Sequence, residues 1–113
     1  MTDTIEFDDF MKVDIRTGTI TAAEPNEKAR QPAYTLKIDF GPELGTKTSS
    51  AQLTDNYTPE DLIGKQIVAV VNFPVKRIAG VKSEVLVLGA VSDEDHVVLL
   101  EPTFHTVDGA RIS

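Results

Sequence analysis

The side chains best suited to binding chemistry are gathered in one stretch, Asn72-Phe73-Pro74-Val75-Lys76-Arg77-Ile78-Ala79-Gly80-Val81-Lys82-Ser83-Glu84. A strongly apolar run, Ile67 to Val71, ends at the polar Asn72, and Pro74 then breaks the extended chain. The stretch carries Lys76, Arg77 and Lys82 and no negative charge before Glu84. The whole chain has 11 Lys and Arg against 18 Asp and Glu, a net charge of -7, so this positive patch stands out from its background. Cationic heads beside apolar side chains suit a ligand with anionic or carbonyl groups next to hydrophobic ones. Core packing accounts for Phe73 and Val75, whereas Ile78 and Val81, beside Gly80, are the residues expected at the surface. The pattern is that of a binding site and not of a catalytic centre.

Signals for catalysis are weak elsewhere. His96 and His105 stand nine residues apart without metal-ligand spacing. Ser49-Ser50 has no Gly-x-Ser-x-Gly context for a nucleophile elbow. Gly41 to Thr48 lacks the spacing of a phosphate loop and joins two strands, not a strand and a helix. Asp8-Asp9 and Asp93-Glu94-Asp95 read as a solvated helix face and a turn. No enzyme activity, cofactor or metal is expected.

Composition sets the frame. A chain of 113 residues fits one domain, residues 1–113. Such a chain buries roughly 65% of its unfolded surface, enough for one core. Hydrophobic content of 41% and charged content of 26% are ordinary globular values. With no Trp, the core must be built mostly from Val, Ile, Leu and Ala. The negative balance opposes indiscriminate nucleic-acid binding by the whole surface but leaves room for a local basic groove. The sequence has no Cys, which excludes disulfides, thiol nucleophiles and thiolate metal sites and fits a reducing compartment. The acidic start, Met1-Thr2-Asp3-Thr4, is unlike a signal peptide, and Ile67 to Val71 is too short to span a bilayer. A soluble, cytoplasmic protein without membrane insertion is expected.

The elements that must position these residues follow from periodicity. Asp3 or Thr4 can cap a short helix whose apolar side is Ile5, Phe7, Phe10 and Met11. Val13, Ile15 and Thr17 alternate with polar residues as in a strand, Gly18 interrupts as at a bulge or barrel bend, and Ile20 and Ala22 continue. Glu24 to Pro32 is a polar loop. Tyr34, Leu36, Ile38 and Phe40 alternate with Thr35, Lys37 and Asp39 in the cleanest strand of the chain. A turn at Gly41 to Gly45 leads to a small, polar strand over Thr46 to Leu53, making a hairpin. Thr58 caps a short helix within Tyr57 to Gly64, with Pro59, Glu60 and Asp61 in its first turn and Gly64 at its end. Gln66 to Phe73 reads as a strand buried on both sides. Glu84 to Val91 and His96 to Leu100 are two further strands, and Asp108-Gly109 is a hairpin-turn signal.

Five principal strands with a small helix between the third and fourth give the element order of an all-β, five-stranded Greek-key OB-fold barrel, with short helices and a C-terminal extension after Val91. OB barrels bind ligands on the face of strands two and three, rimmed by the loops after strands one and four. Here those loops carry Lys28 and Arg30, and Lys76, Arg77 and Lys82, five of the 11 basic residues. Lys37 lies on strand two, on the side of the sheet opposite Leu36 and Ile38. Glu24 and Glu27 dilute the first loop, so the second is the stronger candidate.

With these motifs in view, Phe10-Met11-Lys12-Val13-Asp14-Ile15-Arg16-Thr17-Gly18 resembles the opening of the tRNA-binding domain family. Tyr57 to Lys65, Val70-Val71-Asn72-Phe73 and Ser83-Glu84 resemble its later blocks. Within the family the chain is similar to the stand-alone CsaA-type secretion chaperones, through Gln31-Pro32-Ala33-Tyr34, Ile38-Asp39-Phe40-Gly41, Ser49-Ser50-Ala51-Gln52-Leu53-Thr54 and Val70-Val71-Asn72-Phe73-Pro74. The resemblance covers nearly the whole chain. It implies an OB-fold homodimer, joined through the segments before Lys12 and after Val91, that binds unfolded or pre-export polypeptides and works with export machinery. By the same resemblance Lys37, Lys76, Arg77 and Ser83 fall in the family's RNA-contacting region, while Phe73 and the loop after it, with Ile78 and Lys82, fall at the chaperones' apolar cleft. The alternative partner on the same face is tRNA. Two departures weaken that alternative: Ser50-Ala51 stands where synthetase-type modules have Ser-Gly, and Phe73-Pro74-Val75-Lys76-Arg77 stands where they have a more basic run. Each lost phosphate contact removes part of the salt-dependent affinity.

Overall fold

The computed structural model describes residues 2–113. It is mainly β, and its centre is an antiparallel, nearly closed OB-fold barrel. In chain order the elements are α1 (Phe7–Met11), β1 (Ile15–Pro25), β2 (Tyr34–Asp39), α2 (Gly41–Leu44), β3 (Thr46–Ala51), α3 (Pro59–Leu62), β4 (Gln66–Val70), β5 (Lys76–Ile78), β6 (Val81–Ser83), β7 (Leu86–Val87), β8 (Gly89–Ser92) and β9 (His96–Leu99). The main sheet has strand order β3-β2-β1-β4-β7, every neighbouring pair antiparallel. Two hairpins, β5–β6 and β8–β9, are added to it.

The alternation read in β2 is the alternation found: Tyr34, Leu36, Ile38 and Phe40 are buried and Lys37 is exposed. All of β4 is buried, as the apolar run Ile67 to Val70 requires, and the buried Gln66 at its start donates from Nε2 to the Thr106 carbonyl at 2.7 Å. Ile20, Leu36, Ile38, Phe40, Leu62 and Ile67 are almost fully buried and form the centre of the core. α3 closes one end, its first turn held by Thr58 and Asp61, and Leu62 is its buried residue. The chain leaves it through Gly64, at φ +93, whose N–H donates to the Ile20 carbonyl at 2.8 Å.

The barrel closes between β3 and the segment entering β7, and side chains share in the closure. Glu84 N–H donates to the Thr48 carbonyl at 2.8 Å, and the Glu84 carboxylate accepts from Thr48 N–H at 2.8 Å. Ser83 Oγ accepts from Ser50 N–H at 3.2 Å, and Ser49 Oγ donates to the Val85 carbonyl at 3.0 Å.

Several details differ from expectation. The stretch Lys76 to Ser83 is the hairpin β5–β6, not an irregular loop. Its two turn residues, Ala79 (φ 48) and Gly80 (φ 82), both take the left-handed conformation that a two-residue hairpin turn demands. Glu84 to Val91 divides into β7 and β8, and a one-turn helix, α2, occupies the turn after β2. α1 begins at Phe7, capped reciprocally by Glu6 and Asp9, not at Asp3 or Thr4. The register shift in β1 lies between Ile20 and Ala22, so the bulge is at Thr21. Gly18 has a different reason: a Cβ there would meet Ile38 and Phe40 at 2.7 Å.

Asp108-Gly109 turns no hairpin. The chain around it runs along the first half of β1, on the edge that β2 leaves free. Gly109 N–H donates to the Thr17 carbonyl at 2.8 Å, Thr17 N–H to Ala110 at 3.0 Å, and Ile112 N–H to Ile15 at 2.8 Å. Arg16 fastens this segment by donating to Asp14 at 2.7 Å and to the Gly109 carbonyl at 3.0 Å. The hydrogen bond to the Asp14 carboxylate raises the guanidinium's already high pKa further.

Candidate binding groove

The β5–β6 register sorts the basic residues by face. Lys76 pairs with Ser83, Arg77 with Lys82, and Ile78 with Val81. Successive strand residues point to opposite faces, so Lys76, Ile78, Val81 and Ser83 share one face and Arg77 and Lys82 share the other. The first face looks into a cavity of about 310 Å³ lined by Ser50, Phe73, Pro74, Lys76, Ile78, Ser83, Glu84, Val85 and Leu86. Of the residues expected at the site, Phe73, Lys76, Ile78 and Ser83 are thus brought together. Arg77 and Lys82 are not among its walls, nor is Lys37, which projects outward from β2 opposite Thr48. Lys82 lies 3.8 Å from the Glu84 carboxylate.

Phe73 and Val75, expected in the core, are 50% and 52% exposed. The reason lies at Asn72. Its Oδ1 accepts from Asp14 N–H at 2.9 Å and its Nδ2 donates to the Lys12 carbonyl at 2.7 Å. These two bonds end β4 against the segment before β1 and send the chain outward over the groove.

A second cavity, about 470 Å³, adjoins the first through Ser50 and Ile78 and is also lined by Lys28, Ala29, Arg30, Gln31, Ala33, Gln52 and Ala79. The loop after β1 reaches the hairpin here: Asn26 Nδ2 donates to the Ala79 carbonyl at 3.4 Å. The two basic loops therefore meet across one track, as an OB barrel predicts. Sequence reasoning missed Ser50, Glu84 and Leu86 as wall residues. Ser50 lies in the family-like stretch Ser49 to Thr54, but its direction depends on the seam, and Leu86, 50% exposed, read as an ordinary strand residue.

Among the described residues no group of three or more His, Asp or Glu converges as a metal site. His96 faces Asp55 at 3.6 Å, and His105 is exposed. No helix among the described residues is long and apolar enough to cross a membrane. The track offers apolar walls, a few cations and hydroxyls, which is equipment for holding a ligand.

Comparison with known proteins agrees with this architecture. Residues 15–111 match the family described as "Putative tRNA binding domain". The crystal structure of the chaperone CsaA from Bacillus anthracis superposes with a TM-score of 0.92 at 58% identity, over 98% of this chain and 100% of that one. That of the CsaA chaperone protein from Picrophilus torridus superposes with a TM-score of 0.91 at 50% identity, over 97% and 100%. Among curated proteins, a methionine–tRNA ligase from Methanococcoides burtonii is 40% identical over 97% of this chain, which spans only 16% of that enzyme's length.

Proposed function

Because the chain belongs to the tRNA-binding domain family, with full-length structural likeness to CsaA chaperones, we propose that it is a non-catalytic chaperone that binds unfolded or pre-export polypeptides. The observation that carries this reading is the groove beneath β5–β6, where Phe73, Pro74, Ile78 and Leu86 offer apolar wall and Lys76 stands alone among the hairpin's three cations. Such a site takes hydrophobic side chains of an extended chain and holds a carboxylate or carbonyl at its rim. Phe73, Lys76, Ile78 and Ser83 are the proposed contacts, with Lys37, Arg77 and Lys82 acting at longer range through charge. The proposed setting is the cytoplasm, in concert with export machinery.

We further propose a homodimer formed through the segments before Lys12 and after Val91. Ile5, Phe7, Phe104 and Val107 are 70%, 71%, 83% and 73% exposed there, large apolar side chains that a second copy would cover. Two grooves on one particle would strengthen the hold on an extended client by effective concentration.

The second reading, tRNA binding on the same face, is favoured by Lys28, Arg30 and Lys76 along the joined cavities and by the family itself. Fluorescence anisotropy of a labelled extended peptide and a labelled tRNA, at low and physiological salt, separates the two. Peptide binding that survives salt is expected. Tight tRNA binding that collapses with salt, without peptide binding, would transfer the function to RNA.

A further inference from the structure

We propose that the client site has a second apolar receptacle, a pocket between the end of β3, β7 and the β8–β9 hairpin, and that the preferred client is an extended segment bearing two hydrophobic side chains at a fixed spacing. This rests on the polypeptide-binding reading and specifies its ligand.

The pocket holds about 420 Å³, and its walls include Leu53, Leu86, Val91 and Val97. Leu53 is buried in the core, whereas Leu86 and Val91 are exposed at the rim. The β8–β9 register supplies the far wall. Val91 pairs with Val97 and Gly89 with Leu99. These four share one face of the hairpin, and Ala90 and Val98 share the other. Gly89 leaves room for the wall to form, since a Cβ there would meet Val97 Cγ1 at 2.7 Å.

The hairpin is pinned to the barrel. Asn56 Nδ2 donates to the Val97 carbonyl at 2.8 Å, Leu99 N–H donates to the Tyr57 hydroxyl at 3.0 Å, and Leu100 N–H donates to the Leu88 carbonyl at 3.2 Å. A wall already fixed lowers the ordering cost of binding.

Two observations assign the occupant. The first is continuity. Ser50 and Leu86 line both this pocket and the groove beneath β5–β6, so the two are adjacent and one extended chain can fill both. The second is charge. The groove has Lys76 and Glu84 in its walls, whereas no charged residue lines the pocket. A phosphate or carboxylate placed there would lose water and gain no ionic partner. An apolar side chain gains by leaving water. The ligand is therefore a polypeptide that gives one apolar side chain to Phe73, Pro74 and Ile78 and a second to Leu86, Val91 and Val97.

The test uses labelled extended peptides of Ser, Thr and Gly that carry a single Leu or a pair of Leu at a series of spacings. At a preferred spacing the second Leu is expected to tighten binding roughly tenfold, the worth of one partly buried Leu side chain. Val91→Asp, at an exposed position outside the core, is expected to abolish that gain while changing single-Leu binding by less than about twofold, because the groove beneath β5–β6 is untouched. No gain at any spacing, an equal gain at every spacing, or a gain that Val91→Asp leaves in place would overturn the second receptacle and leave the chaperone reading intact. Weaker self-association of Val91→Asp than of the parent in sedimentation equilibrium would overturn it too, by giving the pocket to a second copy. Failure of single-Leu, paired-Leu and other extended peptides alike to bind the parent would remove both readings.

Discussion

At the scale of single residues, direction matters more than type. Lys76 and Arg77 are neighbours in sequence and carry the same charge, yet only Lys76 looks into the groove. Lys76→Glu is therefore expected to weaken binding of an acidic, apolar peptide by roughly tenfold, while Arg77→Glu changes it by less than about twofold. If the ligand were tRNA, both substitutions would count, each lowering the slope of log affinity against log salt by about one. Titrations of the two variants against both ligands decide the matter, and equal peptide losses in both would contradict the face assignment. Gly18 shows the same dependence on direction inside the barrel. Gly18→Ala should destabilise by about 1–3 kcal/mol through overpacking against Ile38 and Phe40, both buried and unable to retreat, read as a lower denaturation midpoint. The sequence showed a basic cluster and a glycine in a strand. Which way Lys76 points, and what crowds Gly18, depend on partners distant along the chain.

At the scale of elements, legibility followed the strength of local signals. β2 alternates without a break and β4 is apolar throughout after Gln66, so both were readable. α3 begins with Thr58, Pro59, Glu60 and Asp61, each suited to a helix start. The β5–β6 hairpin hid because its turn uses Ala79, a residue that gives no sign of a left-handed conformation. An L-residue there is strained by about 1 kcal/mol, so Ala79→Gly should stabilise the hairpin, visible as slower amide exchange across Lys76 to Ser83. Asp108-Gly109 misled in the opposite sense: the dipeptide favours a hairpin, but Gly109 lies so close to Phe40 that a Cβ would meet its carbonyl at 2.5 Å. The α3 cap also has a pH signature. The Asp61 carboxylate accepts from Thr58 N–H at 3.0 Å, and this bond first, with hydrogen bonding from the Thr58 side chain second, holds the carboxyl below its ordinary pKa. A carboxylate with a lowered folded pKa contributes stability above its unfolded value and loses it as pH falls through the folded one. Asp61→Asn should thus be less stable than the parent at neutral pH, and the difference should shrink on acidification through the carboxylate range in paired thermal melts.

At the scale of the whole molecule, the barrel topology was legible because it depends only on the order of five strands and one helix, while the surface was not, because exposure is set by what packs where. The terminal segments make the point. Ile5 and Phe7 read as the apolar side of a helix, yet Ile5, Phe7, Phe104 and Val107 stand in water although the backbone beside them is well tied. Arg111 donates to the Met11 carbonyl at 2.8 Å, joining the C-terminal segment to the end of α1. An anchored segment that still exposes large apolar side chains is better matched to a second copy than to solvent. If that surface joins two copies, Phe7→Asp with Phe104→Asp should yield monomers by sedimentation equilibrium. The melting temperature extrapolated to low protein concentration should be nearly unchanged, because neither side chain belongs to the core. The double variant should then bind a short peptide as the parent does but lose affinity for a long unfolded client that spans both grooves. Equal loss for short and long ligands would mean that these residues touch the ligand directly, and an unchanged dimer would move the interface elsewhere.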